Sequence, residues 1–481
     1  MRDLLAARPI LASEAGNSID LDAFDETLLP LSYHLFTASD IEKTAYLATP
    51  FESIPVLPKT ARYRGEPIGI LVGDDWSRID QIIGRIPQMI DLGAITPDTV
   101  EHTDTYGPHN DSPSGTTSGI DSTSLETYEI VEGIYRTGLQ LHAPDAPLRA
   151  LAEPMGRGVH VTVPTQWPNH VRQSVADAIE RPLRSVMVSV QTPSGNRDGA
   201  LHVSSYLSVI AAFVVVRLGR SVVVGTRVDQ TFLSGGRSPA RIRWASRLGP
   251  DGTLIDSTVH ASLNVGAYPF LVQETIERLR LSTWSLYDAG NVDYRSELRR
   301  TADVPMGVFE GVANAQIAFA REVHWNRLAE LSQLDPVAWR LRHARTDWPV
   351  IRTLCETLAE EADFHRRYGA NELLRKRRIQ LPRDSAALRG IGFAVGDQQC
   401  GFTGDRETGA VTVRLNQDGT ARLYCNVPTP TLRLRSAWRQ IVASELGIER
   451  DDVTLDTEHH SVQQSGGPRL FSRGVSMVPR A

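Results

Sequence analysis

The sequence is poor in cysteine and has no long apolar run. Only three cysteines occur among its 481 residues, Cys355, Cys400 and Cys425, and none forms a C-x-x-C pair. An iron–sulfur cluster or structural zinc held by this chain alone is therefore not expected, and sparse cysteine is typical of a reducing compartment. The most apolar stretch, about 209–216, is too short to span a bilayer. With no signal-peptide pattern at the N-terminus, we expect a cytoplasmic protein without a membrane partner.

Positive charge is also not in excess. The chain has 51 Lys and Arg against 57 Asp and Glu, which gives a net charge of −6. Without a broad basic field, nucleic acid is not an expected partner. The composition, 41% hydrophobic and 22% charged, is that of a globular protein with sizeable cores. The length allows roughly two to four domains.

Strand-like and helix-like patterns alternate along the chain, which predicts a mixed α/β fold. The changes in pattern predict five segments. They are a small α/β domain over 1–100, a polar linker over 101–127, a large domain over 128–350, a helical connector over 351–389 and a partial further domain over 390–481.

Local signals predict several element boundaries. A helix is expected over about 80–90, and Asn169 is expected to cap another helix. Segment 201–218 is ambiguous, because its length favours a helix and its Val-rich run favours a strand. Asp335 followed by proline predicts an N-cap with proline at the first helical position. Asp418-Gly419 predicts the turn of a hairpin.

Two groups of polar residues have the side chains that a metal site needs. Solvated loop positions are the simpler interpretation, since no element fixes their geometry and adjacent histidines on a strand point to opposite faces. No metal site is therefore predicted. The residues concerned are His102, Asp104, His109 and Asp111 in the linker, and His459-His460 beside Glu458.

The loop Pro193–Gly199 lies between a predicted strand and a predicted helix, where free N–H groups can bind an anion. It matches neither the P-loop nor the G-x-G-x-x-G pattern, so an ordinary turn is the simpler interpretation. No G-x-S-x-G motif is present. From the residues alone, the sequence indicates only a soluble α/β protein.

A series of short motifs, in order along the chain, resembles the large molybdopterin-binding subunit of the xanthine dehydrogenase and aldehyde oxidase family. The motifs are Ala61–Ile68, which resembles the family's "hammerhead" signature, Val131–Thr137, Glu153-Pro154, Thr165-Gln166, Gly235–Pro239, Asn264–Tyr268, Phe309–Gly311, Asp335-Pro336, 408–456 and Phe471–Gly474. The resemblance implies a hammerhead-like small domain, a large molybdopterin-binding-type domain and the start of a second one.

The resemblance also implies a chemistry. In the family, glycine-rich loops between the two large domains cradle a molybdenum–pterin group, and a glutamine hydrogen-bonds a metal oxo group. A glutamate near the C-terminus acts as general base. Electrons then leave through iron–sulfur and FAD-binding partners, and this chain carries neither of those modules.

Matched residue by residue, part of that machinery is retained. The resemblance places Gln166 at the oxo-binding glutamine. Gly195 and Gly199 match two glycines of the family's G-G-G-F-G-G-K loop. Gln316 and Ser472 fall within further cofactor-side motifs, so these five positions are the predicted cofactor-binding residues.

Other matched positions have changed. Asp198 replaces a loop glycine, and its carboxylate is expected to repel a phosphate. Arg197 stands where the family has phenylalanine. Glu310 replaces the substrate-position arginine of A-F-R-G and is the one predicted catalytic position. The M-G-Q-G loop is matched by PTLR at 430–433. We expect the general-base glutamate to have no counterpart here.

Two interpretations follow for function. In the first, the chain is part of a molybdenum hydroxylase-type complex and cannot catalyse the reaction alone. In the second, it is an inert homologue that serves as a scaffold or assembly partner of an active subunit. Both predict a hetero-oligomer with iron–sulfur and FAD-binding subunits, a second molybdopterin-type chain, or both.

Overall fold

The structure is a computed structural model, and it describes most but not all of the chain. The described residues are 4–13, 21, 24, 29–41, 46–48, 53–86, 128–142, 146–191, 198–199, 201–227, 230, 235–288, 290–378, 390–403, 409–425, 432–456 and 467–480.

Both strands and helices are present, which confirms the predicted mixed α/β fold. The strands are β1 (Leu5–Leu11), β2 (His34–Phe36), β3 (Tyr46–Ala48), β4 (Ser53–Pro55), β5 (Pro67–Gly73), β6 (Glu129–Thr137), β7 (Gln140–Leu141), β8 (Arg149–Met155), β9 (Gly158–Pro164), β10 (Val186–Gln191), β11 (Val222–Gly225), β12 (Gly236–Arg237), β13 (Ala240–Leu248), β14 (Leu254–Gly266), β15 (Asn291–Arg300), β16 (Thr412–Leu415), β17 (Ala421–Tyr424) and β18 (Val453–Asp456). The helices are α1 (Trp76–Ile83), α2 (Pro168–Ala178), α3 (Val203–Leu218), α4 (Val272–Trp284), α5 (Asn314–Leu331), α6 (Pro336–His343), α7 (Pro349–Glu361), α8 (Phe364–Arg378), α9 (Leu432–Leu446) and α10 (Arg473–Ser476).

A seven-stranded mixed sheet joins strands from the first 73 residues to strands between residues 149 and 225. Its order is β10-β9-β8-β11-β1-β5-β2. Strand β1 lies inside this sheet, parallel to β11 and antiparallel to β5. The predicted small domain over 1–100 therefore shares a sheet with residues that follow the linker, and the five-segment division stays a prediction.

Helix α3 resolves the ambiguous segment. It packs against β8, β9 and β11, and most of its residues are buried. A helix enclosed in this way is apolar on nearly all sides, so its sequence shows no helical periodicity. It ends at Gly219, whose φ of +66° is the left-handed conformation that glycine adopts without strain.

A four-stranded sheet has the order β15-β14-β13-β6. Along β13, buried residues such as Ile242 and Trp244 alternate with exposed ones such as Arg241 and Arg243. The buried face packs against α5, and the other face is open to solvent in the described structure. A smaller sheet, β16-β17-β18, lies beside α9.

Two predicted helix starts are wrong. Helix α2 begins at Pro168, so Asn169 lies in its first turn and does not cap it. Helix α1 begins at Trp76 after the cap Asp75 and ends at Ile83. The helix predicted over about 80–90 therefore begins too late, and its residues 87–90 lie outside the described residues. Three boundaries are confirmed: Asp335 caps α6, the Asp418-Gly419 turn joins β16 to β17, and Pro336 opens α6. No described helix is long and apolar enough to cross a membrane.

Candidate active site

Gln166 lies two residues after β9 and is completely buried. Its side-chain amide nitrogen donates to Asp198 Oδ1 at 2.8 Å and to the Arg469 carbonyl at 2.9 Å. The backbone N–H of Arg469 donates in return to the Gln166 carbonyl at 2.8 Å. Gln166 therefore joins the end of β9 to the glycine-bearing loop and to the C-terminal segment 467–480.

Asp198 keeps the backbone shape of a glycine. Its φ is +66°, a left-handed conformation that aspartate tolerates better than most residues. Its side chain is only 9% exposed. Burial raises the pKa of Asp198 to about 6, and the neighbouring Glu310 charge contributes to the rise, while the Gln166 hydrogen bond and Arg469 and Arg237 oppose it. A carboxyl group therefore occupies the space beside Gln166 and is in part protonated near neutral pH.

Arg237 holds the loop that carries Glu310. Its guanidinium donates to the carbonyls of Val312 and Glu310, both at 3.0 Å. It also lies over the Phe309 ring at 4.6 Å. Burial lowers the pKa of Arg237, and the neighbouring Glu310 and Asp198 oppose that shift. The Glu310 loop is thus tied down by its backbone, and the Glu310 side chain is exposed.

Gln316 and His142 complete the surroundings of this loop. Gln316 Nε2 donates to the Ser238 carbonyl at 3.1 Å, and its Oε1 accepts from Arg237 at 3.5 Å. The His142 ring stacks on Phe309 with centroids 4.6 Å apart. Burial lowers the pKa of His142, so the neutral ring donates from Nε2 to the Val308 carbonyl at 2.7 Å. That donation makes Nδ1 an acceptor.

Several buried polar atoms around this cluster make no hydrogen bond within the described residues. They are Gln166 Oε1, His142 Nδ1, Arg237 Nε and Ser238 Oγ. Burying a polar atom without a partner costs roughly 1–3 kcal/mol. The cluster is therefore less well satisfied than an ordinary protein interior.

The structure brings together some of the predicted residues and leaves others apart. Gln166, Gln316 and Glu310 are connected through Asp198 and Arg237. Gly199 is buried next to Asp198, whereas Gly195 lies outside the described residues. Ser472 is exposed at the start of α10 and makes no side-chain cap.

Sequence reasoning missed Arg469. It contacts a residue 303 positions away, and no motif marks it. The polar groups of the linker and of 458–460, which carry metal-ligand residue types, lie outside the described residues. Within the described ranges, no group of three or more His, Cys, Asp or Glu could hold a metal ion.

The fold and the matched sequence define a class. Residues 108–344 match a family model described as a molybdopterin cofactor-binding domain, and residues 358–481 match a second model with the same description. The chain belongs to the molybdopterin-binding subunits of the xanthine dehydrogenase and aldehyde oxidase family. The predicted family is therefore confirmed.

Relatives and solved structures agree with this assignment. The chain is 24% identical to human aldehyde oxidase over 247 residues, 51% of this chain and 18% of that protein. It is 24% identical to one subunit of a probable xanthine dehydrogenase of Bacillus subtilis over 310 residues, 63% of this chain and 40% of that protein. The chain thus spans less than half the length of these two relatives. Quinoline 2-oxidoreductase from Pseudomonas putida has the same fold, with a TM-score of 0.80 at 18% identity over 100% of this chain and 66% of that one.

The described residues do not fit the family's molybdenum–pterin group at the Gln166 position. The glutamine amide that the resemblance assigns to the metal oxo group is already bonded to Asp198 and Arg469. A buried carboxyl replaces a glycine that would let a cofactor approach the backbone. When charged, that carboxyl repels a phosphate in a low-dielectric site.

Proposed function

We propose that this chain is a non-hydroxylating subunit of a molybdenum hydroxylase-type complex. In this role it serves as a scaffold or assembly partner beside an active molybdopterin subunit, with iron–sulfur and FAD-binding subunits. One observation carries the proposal: Asp198 uses the hydrogen bond of Gln166 that the family devotes to the metal centre.

The substrate position supports the same proposal. Glu310 stands where the family's motif has arginine, and a carboxylate cannot neutralise negative charge that develops on a substrate. Arg237 does not replace the lost arginine, because its guanidinium is used to hold the Val312 and Glu310 carbonyls.

The framework around the site is retained, which suits a structural role. The Arg237 contacts keep the Glu310 loop in place. The two hydrogen bonds between Gln166 and Arg469, one from the Gln166 side chain and one from the Arg469 N–H, hold the C-terminal segment against the end of β9. A subunit with this framework can present its surfaces to partners without a bound cofactor. The Bacillus subtilis relative is itself named as a subunit, which is consistent with an assembly of several chains.

Metal and pterin analysis of the complex purified from its native host tests the proposal. The tagged chain is isolated with its partners, the subunits are separated under native conditions, and molybdenum and pterin are measured in each. We expect neither in this chain, and about one molybdenum in a co-purified sister subunit.

About one molybdenum and one pterin per copy of this chain would contradict the proposal and favour an active, divided subunit. Isolation of the wild-type chain without any other subunit would contradict the assembly role. An Asp198→Asn variant serves as the matched control, because it keeps the acceptor for Gln166 and removes the charge. If it gains molybdenum while the wild type has none, repulsion by the carboxylate is the block.

A further inference from the structure

The open face of the four-stranded sheet carries a group of unpaired arginines. Arg136 on β6 lies directly opposite Arg241 on β13, and Arg243 follows two residues further along the same face. All three side chains are exposed. In the described part of this sheet β6 is the edge strand. This outer face is called the arginine face below.

The carboxylates on the arginine face do not neutralise this group. Asp256 pairs with Arg247, Asp293 with Arg295, and Glu297 with Arg299. Glu132 on β6 also lies on this face, opposite Ala245, and is exposed without an ion pair to any described residue. Arg136, Arg241 and Arg243 make no ion pair with any described residue. The pKa of Arg241 is lowered, first by Arg243 and then by slight desolvation, Arg136 and Arg299. Repulsion among these guanidinium groups is therefore not relieved by an ion pair within the described residues.

Such an arrangement is unfavourable in an isolated subunit. Like charges directly opposite each other on adjacent strands destabilise a sheet. The concentration is also local, because the whole chain carries a net charge of −6. An acidic surface of a partner protein, placed against this positive area, would compensate its charge.

Two large apolar side chains distinguish the kind of partner. Ile130 and Ile134 project from β6 on the same face and are 56% and 54% exposed. Ile134 lies opposite Arg243, and Ile130 lies opposite Arg247. Exposed aliphatic side chains among arginines suit a protein interface, in which an apolar centre is surrounded by charge. A nucleic-acid surface would place aromatic or further basic residues there.

We propose that the arginine face, centred on Arg136, Arg241 and Arg243, is the docking site for an acidic surface of another protein subunit of the same complex. The proposal rests on the proposed function, since it presumes partner subunits. The face lies on the strands' outer side, whereas α5 covers the inner side, so docking there leaves the packed core undisturbed.

Charge reversal in the native complex tests the inference. A tagged chain with Arg136→Glu, Arg241→Glu and Arg243→Glu replaces the wild type in the native host. The molar ratio of each co-purified subunit is measured by quantitative mass spectrometry at low and high salt. We expect one subunit to fall at least tenfold, and the wild-type complex to lose that same subunit as salt is raised.

A matched control carries the same charge change elsewhere. Arg78→Glu, Arg157→Glu and Arg184→Glu alter three arginines that are also exposed but lie away from the arginine face. This control is expected to keep all subunits at wild-type ratios. A second variant with glutamine at the three test positions separates docking from folding. It is expected to lose the same subunit and to melt no lower than the wild type.

Unchanged subunit ratios in both test variants would overturn the docking site and leave the subunit assignment intact. Equal loss in the Arg78, Arg157 and Arg184 control would also overturn it, because a general charge effect would then suffice. If the ratios hold and a 20-nucleotide single strand binds the wild type but not the variants, the face binds nucleic acid and the proposal fails. A wild-type chain that purifies alone would instead refute the proposed function.

Discussion

Two buried polar clusters of this protein differ in how well their groups are satisfied. One surrounds Glu322 on α5 and joins three helices to the segment 390–403. The other surrounds Gln166 and Asp198, at the position that the sequence resemblance assigns to the cofactor and that is called the cofactor position from here on. Both bury charged side chains, but only the first gives them a full set of partners within the described residues.

Glu322 accepts hydrogen bonds from four directions. Arg321 Nε lies at 2.9 Å, Arg340 at 2.8 and 2.9 Å, the Tyr287 hydroxyl at 3.1 Å and the Val395 N–H at 2.8 Å. The Arg321 and Arg340 side chains are fully buried. A buried ion cluster is tolerated when its geometry is good and its remaining lone pairs are used, and this cluster meets both conditions.

The Gln166 cluster, by contrast, leaves buried polar atoms without partners and raises the pKa of a carboxyl group. The Glu322 cluster therefore joins its helices by side-chain contacts that are complete within the described residues. The Gln166 cluster is less well satisfied than the Glu322 cluster. Functional or formerly functional sites are where such local conflicts are expected.

The largest expected change in stability is at the Glu322 cluster. Glu322→Gln removes the charge that pairs two buried arginines, and breaking a buried pair costs about 3–5 kcal/mol. Thermal unfolding followed by circular dichroism should show a large fall in melting temperature. Glu356→Gln is the control, because its pair with Arg352 is exposed and such pairs contribute about 1 kcal/mol or less. Equal melting temperatures for both variants would contradict the claim that the Glu322 cluster stabilises the fold.

At the cofactor position, a substitution is expected to raise the stability of the protein instead of lowering it. The folded-state pKa of Asp198, about 6, is above its ordinary value of 3.8. Asp198 therefore favours folding when protonated, and that contribution is lost as pH rises from about 4 to 6. Asp198→Asn should stabilise the protein at pH 8 by up to about 3 kcal/mol, at 1.36 kcal/mol per pKa unit.

Urea unfolding of wild type and Asp198→Asn at pH 8 and pH 4 measures this effect. The stabilisation should shrink toward zero at the lower pH, where the wild-type carboxyl is protonated in the folded protein. A variant that is less stable than the wild type at pH 8 would show that the charged carboxylate supports the fold.

A smaller change in stability is expected at His324, a buried residue whose two ring nitrogens both have hydrogen-bond partners. Its Nδ1 contacts the Tyr135 hydroxyl at 2.8 Å and its Nε2 contacts Ser246 Oγ at 2.9 Å. Burial lowers the pKa of His324 from 6.5 to about 3. The neutral ring therefore stabilises the fold above about pH 6.5, and the contribution is lost as pH falls toward 3. At pH 5 the loss is about 2 kcal/mol.

In the Asp198→Asn background, adding His324→Gln should flatten the acid side of the stability profile between pH 6.5 and 4.5, measured by urea unfolding. This background is needed because Asp198 shifts stability in the opposite direction between about pH 4 and 6, so the two contributions partly cancel in the wild type. An unchanged slope on adding His324→Gln would mean that the imidazole is already protonated in the folded protein.

Much of the framework could be predicted because it depends on local chemistry. The Asp335-Pro336 cap and the Asp418-Gly419 turn follow from conformational preferences of a few adjacent residues. The prediction that Asn169 caps a helix was wrong because Pro168 occupies the first helical position. Helix α2 therefore starts closer to the N-terminus than predicted. Helix α3 is ambiguous in the sequence because burial on nearly all sides removes the periodic pattern.

The site could be predicted only in part. The family resemblance indicated that Asp198 replaces a glycine, and the structure adds that it binds Gln166. The contact of Gln166 with Arg469 could not be predicted, since it joins residues far apart in sequence. The hydrogen bond from Arg237 to the Glu310 loop also could not be predicted, because a motif gives the residue type and not the direction in which its side chain points.

The position of β1 has a consequence for biosynthesis. Residues 5–7 pair with residues 222–224 and lie inside the largest sheet. The ribosome must therefore make some 220 further residues, about 10–40 s of translation, before β1 gains its parallel neighbour. During that interval β5 or a chaperone must cover the apolar side chains of β1 to prevent aggregation. Synonymous codons that change elongation speed before residue 225 should therefore alter the yield of folded protein, while the protein sequence stays the same.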